Sequence, residues 1–435
     1  MSFLYLLHNV CLLPLYLFLL EGFRVFDLCL FDLDDTLIIT SDLEDIRHQG
    51  RNDDTDEYRE ELVERLEGNK DRVRYTQCLL DSIRTENPQI KIGIFTRAPR
   101  AYVETVLEWA YPGYNWDVII AFEDVEHTKP NGEGIDIAMR ICEVEYIDCV
   151  ALVGDSEFDI RAAYHAGVVS ILDRGSWPDR LQSAQWNALS WVPDAIIRRP
   201  REILQALSNL ASYLPALEAG LESEGGYFSE RFDRFNYFIP SSLGGDRTSF
   251  PVSYLGRHFA GYDCLKYRAQ RHVLTESIHD HKDSEDFPGE WIVSIINFIR
   301  HHYSFFGFGS LIVTCVPARP GRPHRLQCLL SQLQLEVEGA GFFRDIQFRP
   351  HLLAYAEGVQ SNSREHLSRE ERFRNIRDHL FVNQPDAIPS SAEILVIDDV
   401  VTSGATFVYS KLYLERHAGC RVTCLALAKN ISRVI

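Results

Sequence analysis

Two short acidic segments, one near each end of the chain, have residue types that handle phosphate groups. They are residues 31–37, with the sequence FDLDDTL, and residues 396–406, with the sequence VIDDVVTSGAT. In both, short acidic and hydroxyl side chains follow an apolar run, where an α/β sheet presents its strand ends to ligands. The sequence therefore predicts two separate active sites in one polypeptide.

The first site has the groups needed to hydrolyse a phosphate ester through a covalent intermediate. Asp32 directly follows an apolar strand pattern and is the candidate nucleophile, while Asp34 can protonate a leaving-group oxygen. Thr96 ends the next strand pattern, where a hydroxyl could bind a phosphoryl oxygen. Lys129, in a Thr-Lys-Pro segment, could neutralise the phosphate or the nucleophile. The alternative is that the acids are turn carboxylates that cap strand ends.

A magnesium site is predicted beside these groups. The segment GDSEFD places Asp155 and Asp159 four residues apart, and carboxylate oxygens suit Mg²⁺. The separations from residue 32 to 96, 96 to 129 and 129 to 155 are long enough for a helix to return the chain to the same sheet edge. All these strand ends should therefore converge.

The ordered motifs DLDDT, FTR, TKP and GDSEFD resemble those of the haloacid-dehalogenase-like phosphatases over about residues 25–175. The resemblance implies that Asp32 is the nucleophile and Asp34 the general acid and base. It implies that Thr96 and Lys129 hold the phosphoryl group. Its implied magnesium ligands are Asp32, Asp34, Asp155 and Asp159. A folded but inactive domain remains the alternative.

The second acidic segment is suited to holding a sugar phosphate. Asp398 and Asp399 can accept hydrogen bonds from sugar hydroxyls, and the following turn opens a predicted helix whose N–H groups favour phosphate. The segment is not a Walker loop. It resembles the 5-phosphoribosyl-1-pyrophosphate (PRPP) motif of type I phosphoribosyltransferases. The implied PRPP-binding residues are Asp398, Asp399, Thr402, Ser403, Gly404, Ala405 and Thr406.

Two arginine pairs are candidate pyrophosphate ligands. Arg319 and Arg322 follow a predicted strand, while Arg369 and Arg372 lie in a basic segment that resembles the competence-protein-F-like enzymes. That resemblance implies a mobile loop that closes over pyrophosphate. The alternative is that the segment is the solvated face of a helix. Mg²⁺ carries the leaving pyrophosphate in such enzymes. The zinc-binding cysteine module of that family is absent from this sequence.

Composition narrows the function classes. The net charge of −19 argues against non-specific nucleic-acid binding. Ten scattered cysteines without a C-x-x-C pair indicate reduced thiols and a cytoplasmic protein. Residues 1–20 are almost wholly apolar, but Pro14 and the lack of flanking positive charge argue against a membrane anchor. We favour a docked hydrophobic helix or a start codon placed too early.

The alternation of strand and helix patterns predicts an α/β protein with two doubly wound parallel-sheet domains. The predicted division is as follows: a hydrophobic segment at 1–24, a hydrolase domain at 25–175 with a small helical cap at about 40–88, a helical linker at 176–226, and a phosphoribosyltransferase domain at 227–435, with an irregular and helical lead-in to 310 and a core at 311–435.

Together the two sites indicate a bifunctional enzyme of nucleotide or nucleoside metabolism. PRPP and a nucleobase-like acceptor would give a ribotide, and the phosphatase would then remove its phosphate. Similar fusions suggest a bacterial stress or tellurite-resistance-type setting, and a homodimer is compatible with the sequence. The main alternative is a PRPP-sensing regulator in which a catalytically silent transferase domain controls the phosphatase. A third interpretation, a membrane-attached phosphatase, depends only on residues 1–20.

Overall fold

The computed structural model describes residues 25–223, 229–303, 310–339, 345–360, 367–389 and 392–435. The hydrophobic segment 1–24, on which the membrane interpretation depends, therefore lies outside the described residues. Within the described ranges, no helix has the length and apolar character needed to cross a bilayer.

A six-stranded parallel sheet forms the first half of the protein, in the order β3-β2-β1-β4-β5-β6. Its strands are almost entirely buried and apolar, as expected when helices cover both faces of a parallel sheet. The strands are β1 (Leu28–Phe31), β2 (Lys91–Phe95), β3 (Val118–Ile120), β4 (Val150–Gly154), β5 (Val169–Asp173) and β6 (Ala195–Ile197). The predicted α/β class with a doubly wound parallel sheet is confirmed here.

Helices cover this sheet, and separate hydrophobic clusters lie on its two faces. The helices of this half are α1 (Glu44–Gln49), α2 (Asp56–Glu67), α3 (Gln77–Glu86), α4 (Arg100–Ala110), α5 (Glu133–Ile141), α6 (Glu157–Ala166), α7 (Ser183–Ser190), α8 (Glu202–Ser208) and α9 (Ala216–Glu222). Thr55 and Thr76 start α2 and α3 by accepting a backbone N–H of the first turn on their hydroxyls. α1, α2 and α3 lie in the segment predicted to form a helical cap.

The order of the strands reverses between β1 and β4. The chain moves outward from β1 to β2 and β3, and then returns to β4 on the other side of β1. Phe31 and Val153, near the carboxyl ends of these neighbouring strands, are paired in register. The residues that follow them therefore meet at the crevice where open α/β sheets bind ligands.

The first sheet continues beyond the predicted boundary at residue 175. β6 pairs with β5 in parallel, and its Ala195 and Ile197 side chains are completely buried. The segment predicted as a helical linker therefore contributes one strand to the first sheet as well as α7, α8 and α9. A three-residue strand is too short to show a periodic pattern in sequence.

A second, mixed sheet has the order β11-β10-β14-β15-β8-β7, with β9 also paired to β15. All its pairs are parallel except β7 with β8. β7, β8 and β9 come from the segment predicted to be irregular and helical. The strands are β7 (Asp233–Tyr237), β8 (Phe250–Tyr254), β9 (Arg257–Phe259), β10 (Leu311–Cys315), β11 (Ile346–Phe348), β14 (Glu393–Val401) and β15 (Arg421–Ile431).

Hydrophobic clusters again lie on two faces of the second sheet. A separate antiparallel pair consists of β12 (Leu353–Tyr355) and β13 (Leu380–Val382). The helices are α10 (Lys266–Arg271), α11 (Val273–Asp280), α12 (Gly289–His302), α13 (Arg325–Gly339), α14 (Arg369–His379) and α15 (Ala405–Ala418). Because β11 lies on one side of β10 and β14 on the other, a second crevice forms between β10 and β14.

The two halves share a buried interface centred on α6. The Tyr164 ring of α6 packs edge-on against Phe259 of β9, with ring centroids 5.1 Å apart. Ile431 and Val434, at the end of the chain, join the same hydrophobic cluster. The Arg161 side chain of α6 donates its Nε–H to the Val434 carbonyl oxygen at 2.7 Å. The helix that follows β4 is therefore fixed by the second half of the protein.

Arg257 is the charged centre of this interface and is 1% exposed. Its Nε donates to Glu218 Oε1 at 2.9 Å, and its Nη2 lies 2.9 Å from Asp194 Oδ1. Burial by itself would raise the pKa values of both carboxyls, but Arg257 outweighs it together with Arg268 at Asp194 and His272 at Glu218. The pKa of Glu218 falls to about 2, and the pKa of Asp194 lies well below its usual range. Both acids are therefore ionised inside the protein.

Candidate active site

Asp32 and Lys129 form the centre of the first crevice. Asp32 directly follows β1, and its backbone N–H donates to the Val153 carbonyl oxygen of β4 at 2.8 Å. The Lys129 ammonium, which is buried, lies 2.7 Å from Asp32 Oδ1 and 2.6 Å from Asp159 Oδ1. One lysine thus bridges carboxylates that lie 127 residues apart in sequence (159 − 32).

The carboxylates of this crevice carry more negative charge than Lys129 can balance. Burial raises the pKa of Asp32 to about 7, with the charges of Asp159 and Asp34 adding to the rise and Lys129 opposing it. Burial, together with the charges of Asp159, Asp32 and Asp35, holds the pKa of Asp155 well above its usual range. For Lys129, burial favours the neutral amine, but Asp159 and Asp32 outweigh it and raise its pKa. The site therefore suits an additional cation.

Three of the four predicted magnesium ligands meet in one cluster. Asp32, Asp155 and Asp159 each offer a carboxylate oxygen, and these oxygens lie within 4.8 Å of one another. Among the described side chains, none donates a hydrogen bond to the Asp155 carboxylate. An all-oxygen donor set with excess negative charge fits Mg²⁺. Asp34 is not part of this cluster.

Asp34 is held by three other residues that sequence reasoning missed. Its Oδ1 accepts the hydroxyl of Thr40 at 2.6 Å and that of Tyr102 at 3.0 Å, and its Oδ2 lies 3.1 Å from Arg47 Nη1. Arg47 lies on α1, in the predicted cap, and Tyr102 lies on α4, the helix that follows β2 in the chain. The sequence signal for Arg47 was only its position in the predicted cap, the segment inserted between β1 and β2 at about residues 40–88. These contacts fix Asp34 in orientation.

Thr96 lies at the carboxyl end of β2, as predicted. Its backbone N–H donates to the Ile120 carbonyl oxygen at 3.0 Å, and its Oγ1 accepts the backbone N–H of Ala98 at 3.1 Å. The hydroxyl hydrogen is thus available to a phosphoryl oxygen. Thr96, Asp32, Asp34, Lys129, Asp155 and Asp159 all line one cleft of about 280 Å³. The structure therefore brings together every residue predicted for the first site.

Basic side chains also line this cleft that were not predicted. They are Arg47, His48, Arg51 and Arg97. Arg97 immediately follows Thr96, so its place in the motif FTR was visible in sequence. Arg51 and His48 belong to the inserted segment, which contains many charged residues. No sequence pattern distinguished these two from the others.

The second crevice contains a cleft of about 280 Å³ whose walls come from β10, β14 and the segments that follow them. Its lining includes five of the predicted PRPP and pyrophosphate ligands, namely Arg319, Arg322, Asp398, Asp399 and Thr406. Burial and the neighbouring charge of Asp399 hold the pKa of Asp398 well above its usual range. The predicted acidic and basic ligands thus line the same cleft.

Two further residues of this cleft were missed in sequence. Arg325, the first residue of α13, forms an ion pair with Asp399. Tyr355, on β12, lies close to Thr406, and burial raises the pKa of its hydroxyl to about 12. The Asp399 carboxylate is therefore already paired with an arginine in this structure.

The turn from β14 into α15 has the geometry of a phosphate cradle. Gly404 has a φ of 76°, in the left-handed region, and a Cβ there would overlap the Tyr237 ring. Ala405 then opens a 14-residue helix whose first N–H groups have no helical acceptor. Thr402, Ser403, Gly404 and Ala405 form this turn next to the cleft, and only Thr406 of the motif's last five residues lines the cleft itself.

The second arginine pair lies elsewhere. Arg369 and Arg372 are on α14, which Ser368 caps at its start, so this segment is a helix and not the predicted loop. Arg369 Nη2 donates to the Phe238 carbonyl oxygen at 3.0 Å and Arg372 Nε to that of Leu367 at 2.9 Å. Neither belongs to the described lining of the second cleft. This placement agrees with the interpretation of a helix face.

Comparison with protein families supports a hydrolase domain in the first half of the chain. The family described as haloacid dehalogenase-like hydrolase matches residues 44–172. The matched range includes Thr96, Lys129, Asp155 and Asp159, while the DLDDT motif lies just before it.

Comparison with curated proteins finds pyrophosphatases called PpaX, among them those of Bacillus mycoides (strain KBAB4) and Bacillus cereus (strain G9842). Each of these two is 27% identical over 120 residues, which is 28% of this chain and 53% of the relative. The match thus spans about half the length of these relatives.

Among solved structures, a putative haloacid dehalogenase-like hydrolase from Bacteroides fragilis is 21% identical with a TM-score of 0.30, and covers 41% of this chain and 99% of its own. A predicted phosphoglycolate phosphatase from Haemophilus somnus is 18% identical with a TM-score of 0.30, and covers 41% and 97%.

Proposed function

We propose that the first half of this protein is a magnesium-dependent phosphatase that works through an aspartyl-phosphate intermediate. The observation that carries the proposal is the Lys129 bridge between Asp32 and Asp159, beside Asp155 at the strand-order reversal. An Asp32 oxygen attacks phosphorus, and the bond from phosphorus to the leaving-group oxygen breaks. Asp34 gives its proton to that oxygen. A water molecule then attacks the aspartyl phosphate, Asp34 takes its proton, and the Asp32 carboxylate is released with orthophosphate.

The contacts of the site support these roles. Thr40, Tyr102 and Arg47 hold Asp34 in one orientation, as proton transfer requires. Thr96 and Lys129 present a hydroxyl and an ammonium where the phosphoryl oxygens would lie. Mg²⁺, when held by Asp32, Asp155 and Asp159, supplies positive charge to the phosphoryl group. The substrate class is a phosphoric monoester or a diphosphate; the curated relatives are called pyrophosphatases.

Removal of the metal tests this proposal. We expect Mg²⁺ to be required for orthophosphate release from a phosphate monoester and EDTA to stop it. Replacing Asp155 by asparagine should raise the Mg²⁺ concentration for half-maximal rate by about tenfold or more, because one charged ligand is lost. The matched control is Asp179→Asn, an exposed acid outside the cleft, which should behave as the unmodified protein. Full activity in EDTA would contradict the proposal.

For the second half we propose transfer of 5-phosphoribose from PRPP to a nucleobase-like acceptor. The convergence of Arg319, Arg322, Asp398, Asp399 and Thr406 in one cleft supports it. In this reaction the bond from ribose C1 to the pyrophosphate oxygen breaks, a bond from C1 to an acceptor nitrogen forms, and the acceptor proton passes to solvent. The arginines balance the charge of the departing pyrophosphate, and the acids accept the ribose hydroxyls.

A regulator that binds PRPP without transferring it is the competing proposal, and the α6 interface favours it. Asp159 lies in the first turn of α6, while Arg161 and Tyr164 of the same helix contact Val434 and Arg257 of the second half. A ligand that shifts β14 and β15 would therefore act on the helix that holds a predicted magnesium ligand.

Pyrophosphate release separates these two possibilities. The Asp32→Asn variant is used because its phosphatase is inactive. We expect it to release pyrophosphate from PRPP in the presence of Mg²⁺ when it is offered a panel of nucleobases and a small-molecule cell extract. Adding Asp399→Asn should abolish release, because in the proposed reaction the Asp399 carboxylate accepts a hydrogen bond from a ribose hydroxyl. Asp386→Asn, an exposed acid, is the control. PRPP binding without release, together with a change in the phosphatase rate of the unmodified protein, would favour the regulator; absence of binding would contradict both.

A further inference from the structure

Two arginines at the phosphatase cleft have no acidic partner among the residues that the structure describes. Lys129 is paired with Asp32 and Asp159, and Arg47 is paired with Asp34. Arg51 and Arg97 line the same cleft, and among the described residues no carboxylate lies within ion-pair distance of either. Their charges therefore remain available to a ligand.

Each of these two guanidinium groups is fixed by an aromatic ring. The Arg51 Cζ lies 4.2 Å from the centroid of Phe122, which follows β3, and the Arg97 Cζ lies 4.5 Å from that of Phe158 on α6. A cation over the face of an aromatic ring is attracted to it, and the N–H groups of a guanidinium can still bind a ligand. Within the described residues, no side-chain N–H of either arginine donates a hydrogen bond to the protein.

Arg51 and Arg97 are exposed, whereas Lys129 at the reaction centre is buried. Arg97 directly follows Thr96, and Arg51 comes from the inserted segment just after α1. Both line the cleft that contains Asp32 and Lys129. The cleft therefore has an inner site for the reacting phosphoryl group and an outer rim of positive charge, in a protein whose net charge is −19.

We propose that Arg51 and Arg97 bind a second phosphate group of the substrate, so that the substrate is a diphosphate or a bisphosphate and not a simple monoester. This inference rests on the proposed phosphatase function. A guanidinium edge matches two phosphate oxygens, and two such edges balance the charge of a second phosphate. Pyrophosphate would also be the product of phosphoribosyl transfer in the second half of this protein, so one chain would form and consume it.

The test compares substrates with and without a second phosphate. In Mg²⁺, kcat/KM is measured for p-nitrophenyl phosphate, inorganic pyrophosphate and fructose 1,6-bisphosphate. The selectivity is kcat/KM for each of the last two divided by that for p-nitrophenyl phosphate. We expect Arg51→Gln with Arg97→Gln to lower this ratio by about tenfold or more, mainly through KM, because each lost bond joins charged groups. Whichever of pyrophosphate and fructose 1,6-bisphosphate has the higher ratio in the unmodified protein represents the preferred substrate class.

Single substitutions and a distant control complete the experiment. Each single variant should lower the ratio by less than the double variant, and Arg180→Gln, an exposed arginine outside the cleft, should leave it unchanged. An unchanged ratio in the double variant would overturn this inference, while an inactive Asp32→Asn variant would leave the phosphatase proposal intact. Hydrolysis by Asp32→Asn at the unmodified rate would instead overturn the phosphatase proposal, and this inference with it.

Discussion

Replacing Asp32 by asparagine is expected to lower phosphatase kcat by at least about a thousandfold, because the variant has no carboxylate to attack phosphorus. Asparagine has nearly the same shape, so the packing of the turn after β1 is kept. The measurement is steady-state orthophosphate release, combined with acid quenching to look for a phosphorylated protein. The phosphorylated species should form with the unmodified protein and be absent from the variant.

Folding must be shown to survive in that variant. Because burial raises the pKa of Asp32 to about 7, its charged form is unfavourable in the metal-free fold. The free energy of unfolding of Asp32→Asn, measured in EDTA at pH 8, is therefore expected not to fall. Asp71→Asn, in an exposed turn of the inserted segment, is the control and should retain activity. A variant that keeps phosphatase activity would remove Asp32 from the nucleophile role.

The first site could be predicted from sequence because its residues directly follow strands. Asp32, Thr96 and Asp155 lie just after β1, β2 or β4, and the order of those strands brings their ends together. Arg47 and Tyr102 come from helices, and their contact with Asp34 depends on how α1 and α4 pack. No local pattern encodes such a contact between distant helices.

The second site shows the same division. Arg319 and Arg322 follow β10 and reach the predicted cleft, while Arg369 and Arg372 belong to α14 and do not. A residue's distance from a strand end, and not its charge, separates the two pairs. The pairing of Arg325 with Asp399 could not be predicted, since the two residues are 74 positions apart in sequence and no register connects them.

Short strands were the main omission in the fold. β6 and β9 have three residues each, and β7 alternates polar and aromatic residues in a segment that otherwise looked irregular. Their pairing with β5, β15 and β8 is decided by neighbours elsewhere in the sequence. Strand identity in such pieces comes from tertiary contacts more than from intrinsic preference.

The second large effect that we expect is on stability and follows from Arg257. Replacing Arg257 by methionine should lower the free energy of unfolding at pH 7 by about 3–5 kcal/mol, because it leaves Glu218 and Asp194 buried with fewer positive partners. Urea unfolding of the full chain measures this change. Arg234→Met, on an exposed position of neighbouring β7, is the control and should change stability by about 0.5 kcal/mol or less.

The pH dependence distinguishes lost charge pairing from lost packing at this interface. In the unmodified protein the pKa of Glu218 is about 2, below its ordinary 4.5, so its contribution is present above pH 4.5 and is lost as the pH falls toward 2. Without Arg257, burial should raise the pKa of Glu218 above 4.5. Lowering the pH then protonates Glu218 in the variant and removes the destabilising effect of its buried charge. The other charged groups here, Asp194, Arg268 and His272, are the same in both proteins. The stability difference should therefore narrow between pH 7 and pH 4, whereas a difference that stays constant would mean that Arg257 contributes through packing alone.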